Sequence, residues 1–509
     1  MTLAQEPVQL LTALSQADTR RKTVSPTLDP ERRSKLGQYM TPAPVATFMS
    51  QMFDTLPEDI QLLDAGAGVG SLSAAFVHEV CQNRPYVRSI DLTAFEVDPV
   101  LREQLEATLS DCESECRVAG IAFTFRVISE DYILNAAEPL LAEQATPNQY
   151  NCAILNPPYA KINSNSTTRR ALREMGIETT NLYTAFVAVA LLQLEDQGQL
   201  VAITPRSFCN GTYFEPFRRL MFERASLCHV HVYDSRKHAF KEDDVLQENI
   251  IYRLVSGEPQ AETITISSSH SPADLNPTSR EIPFNEVVVP NDKHCYIRLA
   301  VSEEDGTLAI RVRALPHSLA DLGIKVSTGR VVDFRAREHL RKDPEPGTVP
   351  LIYPSHFDNG YVSWPKLGGK KANALADNDD TAKLMVPKGI YVLTKRFSSK
   401  EEKRRLVATI YDPERVDAEK VGFENHLNYF HIDGKGLDRA LAKGLLLFFN
   451  STAVDQYFRQ FSGHTQVNAT DLRNLHYPTV ERLDEVGRRI GDELPPQEEI
   501  DEIVETLLV

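Results

Sequence analysis

Paired cysteines are missing from this chain. Its seven cysteines are an odd number scattered over 509 residues, which argues against a disulfide framework and for reduced thiols in a cytosolic setting. Cys112 and Cys116 stand one helical turn apart with no second pair nearby, so the four ligands of a tetrahedral zinc site are not expected. No run of 18 uncharged apolar residues occurs, and no membrane span is predicted. The first residues, with Gln5, Glu6 and Gln9, lack the basic-then-apolar layout of a secretory leader. No internal repeat is visible. An excess of positive charge is missing too: 71 Asp and Glu outweigh 55 Lys and Arg, for a net charge of −16.

What remains has the composition of an ordinary globular protein, 42% hydrophobic and 25% charged. A chain of this length exceeds one hydrophobic core, so two domains are expected. The net charge conceals a local excess of the opposite sign. From Lys325 to Arg405 there are 17 Lys and Arg against 10 Asp and Glu, a local +7. From Glu481 to Val509 there are 10 acids against 3 bases. The local sign is the informative quantity for an anionic partner.

The N-terminal half alternates short apolar runs with helical patterns, which predicts a parallel sheet covered by helices. Residues 1–36 read as a helical arm. Thr41 is predicted as the N-cap of a helix with Pro42 at its first position. The strand Ile60–Leu63 runs into Asp64-Ala65-Gly66-Ala67-Gly68-Val69-Gly70, a turn whose glycines let backbone approach a ligand closely. The strand Ser89–Phe95 ends at Glu96, where a carboxylate commonly holds a ribose diol. Phe123–Ile128 ends at Ser129-Glu130-Asp131-Tyr132. Cys152–Leu155 is stopped by Asn156-Pro157-Pro158-Tyr159. Four successive strand tips thus present ligand-type groups, at the edge where open α/β sheets bind their ligands.

The last of these tips has a definite chemistry. The Asn156 side-chain oxygen and the Pro157 carbonyl can each accept one hydrogen of an amine, and Tyr159 can stack on the ring that carries it. Beyond it, Lys161–Thr180 is polar and predicted as a mobile loop. Asn181-Leu182-Tyr183 opens an apolar helix running to Leu194, and strands are predicted at Leu200–Ile203, His229–Tyr233 and Asn249–Leu254. Between Ser256 and Val289 the composition turns to Ser, Thr, Pro and Glu, which reads as a domain boundary. The remainder is predicted as short strands broken by Gly and Pro, closed by helical spacing from Ile500 to Leu508.

Gly37-Gln38-Tyr39-Met40-Thr41-Pro42, the Asp64 turn, Glu96, Asp131-Tyr132 and Asn156-Pro157-Pro158-Tyr159, in that order, resemble the γ class of S-adenosylmethionine-dependent DNA adenine-N6 methyltransferases, the modification enzymes of restriction systems. The resemblance covers residues 35–255 motif by motif. The C-terminal half matches by position and by the stretch Gly463–Leu472. It implies an α/β fold: a Rossmann-like methyltransferase domain over 37–258, a linker over 259–295, and an α+β target-recognition domain over 296–509.

The resemblance implies S-adenosylmethionine as cofactor, held by Asp64, Gly66, Gly68, Glu96, Asp131 and Tyr132 and closed over by Tyr39 and Thr41. Asn156, Pro157 and Tyr159 would receive the target base, with Phe240 as a second bracketing aromatic. The implied partners are duplex DNA carrying a short specific site and a cognate restriction endonuclease acting on the same site. Phosphate contacts are expected from Lys395, Arg396, Lys403, Arg404 and Arg405. A C5-cytosine enzyme would need an activated cysteine, usually after a proline, and none of the seven cysteines follows one. Only 36 residues precede Gly37, too few for a fused nuclease. A methyltransferase for an RNA base or a protein glutamine amide remains the alternative, and the basic C-terminal half favours DNA over both.

Overall fold

The computed structural model describes residues 12–29, 39–142, 149–233, 248–272, 274, 277–398, 402–462 and 466–508. The chain divides into two compact units, Met1–Val301 and Ser302–Val509.

The first unit is built on a nine-stranded sheet: β1 (Asp59–Ala65), β2 (Ser89–Phe95), β3 (Ala122–Ile128), β4 (Tyr150–Leu155), β5 (Leu194–Pro205), β6 (Ala225–Tyr233), β7 (Asn249–Ser256), β8 (Thr263–Ser269) and β9 (Thr278–Pro283). Their order in space is β3-β2-β1-β4-β5-β7-β6-β8-β9. The first five strands pair in parallel, and β7 runs antiparallel between β5 and β6. Parallel strands are buried on both faces and therefore read as unbroken apolar runs. In β4, Cys152 and Ile154 enter the core on one side of the sheet, while Ala153 and Leu155 enter the core on the other. The first core is shared with the helices Ala13–Val24, Ala43–Gln51, Ser71–Asn83 and Pro99–Ala119, the second with Tyr132–Leu141, Leu182–Gln193 and Glu215–Arg224. Helices on both faces are the predicted arrangement. The strand order reverses between β1 and β4, and such a reversal opens a crevice at the strands' carboxyl ends.

Three expectations need correction. The stretch 259–295 is not a linker, because β8 pairs with β6 and β9 with β8, extending the sheet. In β8, Thr263, Thr265 and Ser267 alternate with the buried Ile264 and Ile266, and in β9 Ile282 is buried between Glu281 and Pro283; the polar partners concealed a half-buried strand pattern. The stretch Lys161–Thr180, predicted as a loop, is not loop throughout. It carries the helix Thr167–Glu174, capped by the Ser166 hydroxyl, which accepts from the Arg169 amide (3.1 Å). Its ends are stitched by the Ile162 amide donating to the Thr180 carbonyl (2.8 Å). Thr41 is not a helix cap: the helix begins at Ala43 with Pro42 at the cap position and no side-chain bond.

The second unit combines a six-stranded and a five-stranded sheet of short strands with a helical cluster. The helices Arg439–Asn450 and Val480–Arg489 pack closely enough that a Cβ on Gly487 would lie 1.9 Å from the Ala440 carbonyl oxygen. The acidic end forms the helix Gln497–Glu505, whose Asp501 carboxylate accepts from the Thr452 amide (2.7 Å) and hydroxyl (2.6 Å). An α+β C-terminal unit is thus present as expected. Among the described residues no helix is long and apolar enough to cross a membrane.

Candidate active site

The crevice beyond β1, β2 and β4 is a cavity whose wall includes Tyr39, Thr41, Gly66, Gly68, Glu96, Asp131, Tyr132 and Asn156. Eight of the residues singled out from sequence therefore meet in one place, from positions more than 100 residues apart. Gly66, Gly68 and Gly70 all adopt positive φ, at +79°, +59° and +84°. That conformation is nearly free for glycine and costly for any other residue. The turn they form directs the Gly68 amide at the Glu96 carboxylate (2.9 Å). The other Glu96 oxygen accepts from the Asp98 amide (2.7 Å). The carboxylate keeps lone pairs for a ligand after both bonds, and burial holds its acidity below that of an ordinary glutamate despite these two amides.

Asp64 stands behind the turn, fully buried, with one carboxylate oxygen accepting from the Ser73 hydroxyl (2.6 Å). Its second oxygen has no partner among the described residues. Desolvation, with a smaller contribution from the Glu96 charge, pushes its pKa up to about 7. Asp131 caps the helix Tyr132–Leu141 by accepting from the Leu134 amide (3.0 Å). Tyr132 is locked by donating to the Gln193 side chain (2.8 Å). Its ring lies 5.0 Å from Phe95 and 5.1 Å from Phe186.

Asn156 has the most informative geometry. Its Nδ2 donates to the Tyr39 carbonyl (2.7 Å) and to Thr41 Oγ1 (3.0 Å). The amide's donor edge is thereby committed, and Oδ1, buried, has no partner among the described residues. An unpaired buried acceptor is costly, so an orientation that leaves one is maintained by the two bonds on the opposite edge. Thr41 acts here as an acceptor that orients Asn156, a role its position before a proline did not suggest. Pro157 is buried, and Tyr159 is half-buried with its ring 5.6 Å from that of Tyr39, tilted by 39°.

Sequence reasoning missed Phe95, Glu130, Leu182 and Phe186, which also line the cavity. Glu130 and Phe95 adjoin residues that were singled out; Phe186 is one apolar residue in a largely apolar helix, and nothing local distinguishes it. Phe240 lies outside the described residues, as do Gly37 and Gln38.

The predicted phosphate contacts fare unevenly. Lys403 is exposed; Lys395, Arg396 and Arg404 are half-buried. Arg396 donates to the Asn425 carbonyl (3.2 Å) and Arg404 to the Thr452 hydroxyl (3.3 Å). Arg405 is the correction. It is only 3% exposed, its guanidinium donates to the Ser462 hydroxyl (2.9 Å), and its amide donates to the Asp455 carboxylate (2.7 Å). A guanidinium so enclosed is a packing element of the second unit and meets no phosphate.

Comparison with known proteins places this geometry among relatives. Residues 101–240 match the family model of the Eco57I restriction-modification methylase. The chain is 48% identical to the Type II methyltransferase M.PstI of Providencia stuartii over 487 residues, covering 96% of each. It is 43% identical to the Type II methyltransferase M.BsuBI of Bacillus subtilis, covering 97% of this chain and 98% of that one. Among solved structures, the Type IIL restriction-modification enzyme MmeI, determined in complex with DNA, superposes with a TM-score of 0.58 at 10% identity, over 98% of this chain and 79% of that one. That likeness speaks for the fold.

Proposed function

The chain belongs to the Type II methyltransferases of restriction-modification systems, and from that premise we propose that it methylates adenine N6 in duplex DNA at a short specific site, using S-adenosylmethionine. The observation that carries the reading is the oriented Asn156 amide, with its donor edge tied to Tyr39 and Thr41 and its oxygen left to accept from an exocyclic amine; adenine as the base that bears this amine follows from the resemblance of the motif series to adenine-N6 enzymes.

The cavity fits the proposed cofactor. Its wall offers the carboxylates of Glu96, Glu130 and Asp131 toward a cationic ligand, and Tyr132, Phe95 and Phe186 as apolar surface for a flat ring. The Ser71 hydroxyl there is buried with no partner among the described residues. S-adenosylmethionine supplies an electrophilic methyl when bound.

The exocyclic amine of adenine is a poor nucleophile because its lone pair is delocalised into the ring. Asn156 Oδ1 accepts one amine hydrogen and the Pro157 carbonyl the other. Both bonds favour a tetrahedral nitrogen with a localised lone pair, so the two acceptors lower the barrier by orientation and electrostatics without a covalent enzyme intermediate. Tyr159 stacks on the base, which must leave the duplex to reach these groups. The second unit, with its basic stretch, holds the duplex and reads its sequence, and a cognate endonuclease acts on the same site.

The test is transfer of labelled methyl from S-adenosylmethionine to duplex DNA, followed by digestion to nucleosides. Label in N6-methyladenine is expected. Label in cytosine, RNA or a protein glutamine, with none in adenine, overturns the reading.

A further inference from the structure

The burial of Arg405 leaves open which face of the second unit meets a polyanion. Two other segments have the necessary chemistry. Residues 330–342 and 366–371 together carry eight Lys and Arg against two Asp and Glu, a local +6 in a chain of net charge −16. Arg330, Arg335, Arg337, Lys342, Lys366 and Lys370 are all exposed. Of the two acids, Glu338 is exposed, whereas Asp333 is half-buried and engaged, accepting from the Tyr353 hydroxyl (2.7 Å) and pairing with Lys371 (2.9 Å).

The two segments form one surface. Asn373, 1% exposed, donates from its side chain to the carbonyls of Lys342 (2.9 Å) and Lys366 (3.1 Å) and accepts from the Lys366 amide (2.9 Å). One buried amide thus pins the end of the first segment to the start of the second. The Lys371–Asp333 pair joins the end of the second to the middle of the first. Basic groups held on a doubly tethered support lose little conformational entropy on binding.

The same surface carries two apolar side chains turned to solvent. Phe334 is 77% exposed and Leu367 69%, the two most exposed large apolar side chains among the described residues of the second unit. Single exposed apolar residues are ordinary. Here each stands in a basic loop, and Arg335 lies over the Phe334 ring at 5.4 Å. Apolar side chains presented between cations are the groups that press into a groove or against an unstacked base step while their neighbours hold phosphates.

We infer that the paired loops Arg330–Lys342 and Lys366–Lys371 are the duplex-binding face of the second unit, with Arg335, Arg337, Lys366 and Lys370 on phosphates and with Phe334 and Leu367 contacting the bases. The inference rests on the DNA reading above and deepens it by naming the surface.

The experiment uses two full-length variants. One carries Arg335→Ala, Arg337→Ala, Lys366→Ala and Lys370→Ala; the other carries Phe334→Ala and Leu367→Ala. Lys371 is left in place so that the loops stay joined. All six side chains are exposed, and thermal unfolding should match the wild type. Binding to specific-site and random duplexes is measured by fluorescence anisotropy across a salt series. The charge variant should lose affinity for both duplexes by similar factors, with a shallower salt dependence of up to about 0.9 per lost phosphate contact. The apolar variant should lose about ten-fold or more for the specific duplex alone, with its salt slope unchanged.

If the wild type binds and methylates DNA while both variants behave identically to it, this face is not the one used and the DNA reading stands. A wild type that binds no duplex overturns the reading itself. Retained duplex binding with loss of self-association in the variants would assign the face to a second copy of the chain and overturn the inference.

Discussion

At Asn156 one hydrogen-bonding edge is committed and the other is free, and that asymmetry makes its substitution informative. Asn156→Ala should lower the rate of methyl transfer by about 10²- to 10³-fold, the usual loss when one preorganised polar contact to a reacting centre is removed. Calorimetry should find cofactor affinity changed by much less if, as proposed, the amide oxygen receives the target amine and not the cofactor. Collapse of both together would mean that Asn156 chiefly supports the cofactor cavity through Tyr39 and Thr41. Asp64 makes a separate prediction. Its folded pKa of about 7 lies above the ordinary aspartate value, so the folded state binds this proton more tightly than the unfolded one. Its contribution to stability is then complete below about pH 4 and is lost as pH rises to about 7, by up to about 4 kcal/mol. Denaturant titrations across that window should show the decline, and Asp64→Asn should flatten it. A cationic cofactor favours the ionised carboxylate, so cofactor affinity should rise with pH through about 7 in the wild type and not in the variant.

At the scale of elements, the glycine turn after β1 works through its backbone. Gly70 precedes the helix Ser71–Asn83 at φ +84°, and a Cβ there would lie 2.9 Å from Leu105 Cδ1 on the helix Pro99–Ala119. Gly70→Ala should therefore destabilise the first unit by about 1–2 kcal/mol from the left-handed backbone alone, with a further penalty from the contact. Cofactor affinity should fall as well, since Gly66 and Gly68 belong to the same turn. Equilibrium unfolding and calorimetry check the two effects independently; an unchanged midpoint would show that the turn accommodates a side chain by shifting Leu105.

For the whole molecule, the position of β8 and β9 decides where the chain can be divided. On β6, His229 meets the Ser267 hydroxyl (2.7 Å), and His231 meets the hydroxyls of Ser267 (2.9 Å) and Ser269 (3.1 Å) on β8. A fragment ending at Ser256 would strip these partners from two largely buried imidazoles and expose the edge of β6, an unpaired strand of the kind that aggregates. A fragment ending at Val301 keeps the sheet intact. The longer fragment should be soluble and should bind S-adenosylmethionine in calorimetry, while the shorter one should aggregate. Equal behaviour of the two would show that β8 and β9 are dispensable to the first unit.

The strand tips, their order and the alternation of strand and helix were legible in the sequence because each rests on a local pattern. Apolar runs stopped by Gly or Pro mark parallel strands, and acids or Asn-Pro-Pro-Tyr at their ends mark the ligand edge. This sufficed for the fold of the first unit and for eight of the residues that line its cavity. What sequence could not show depends on partners far along the chain. Thr41 orients an amide 115 residues away. Arg405 is enclosed by Asp455 and Ser462, 50 and 57 residues on, although it directly follows the basic pair Lys403 and Arg404. The strand at Thr263 is recognisable only once β6 is present to pair with it, and the strand at Thr278 only once that strand is in place beside it. Charge along a chain is a property of its residues, but whether a charge faces water or a buried hydroxyl is decided when distant segments pack.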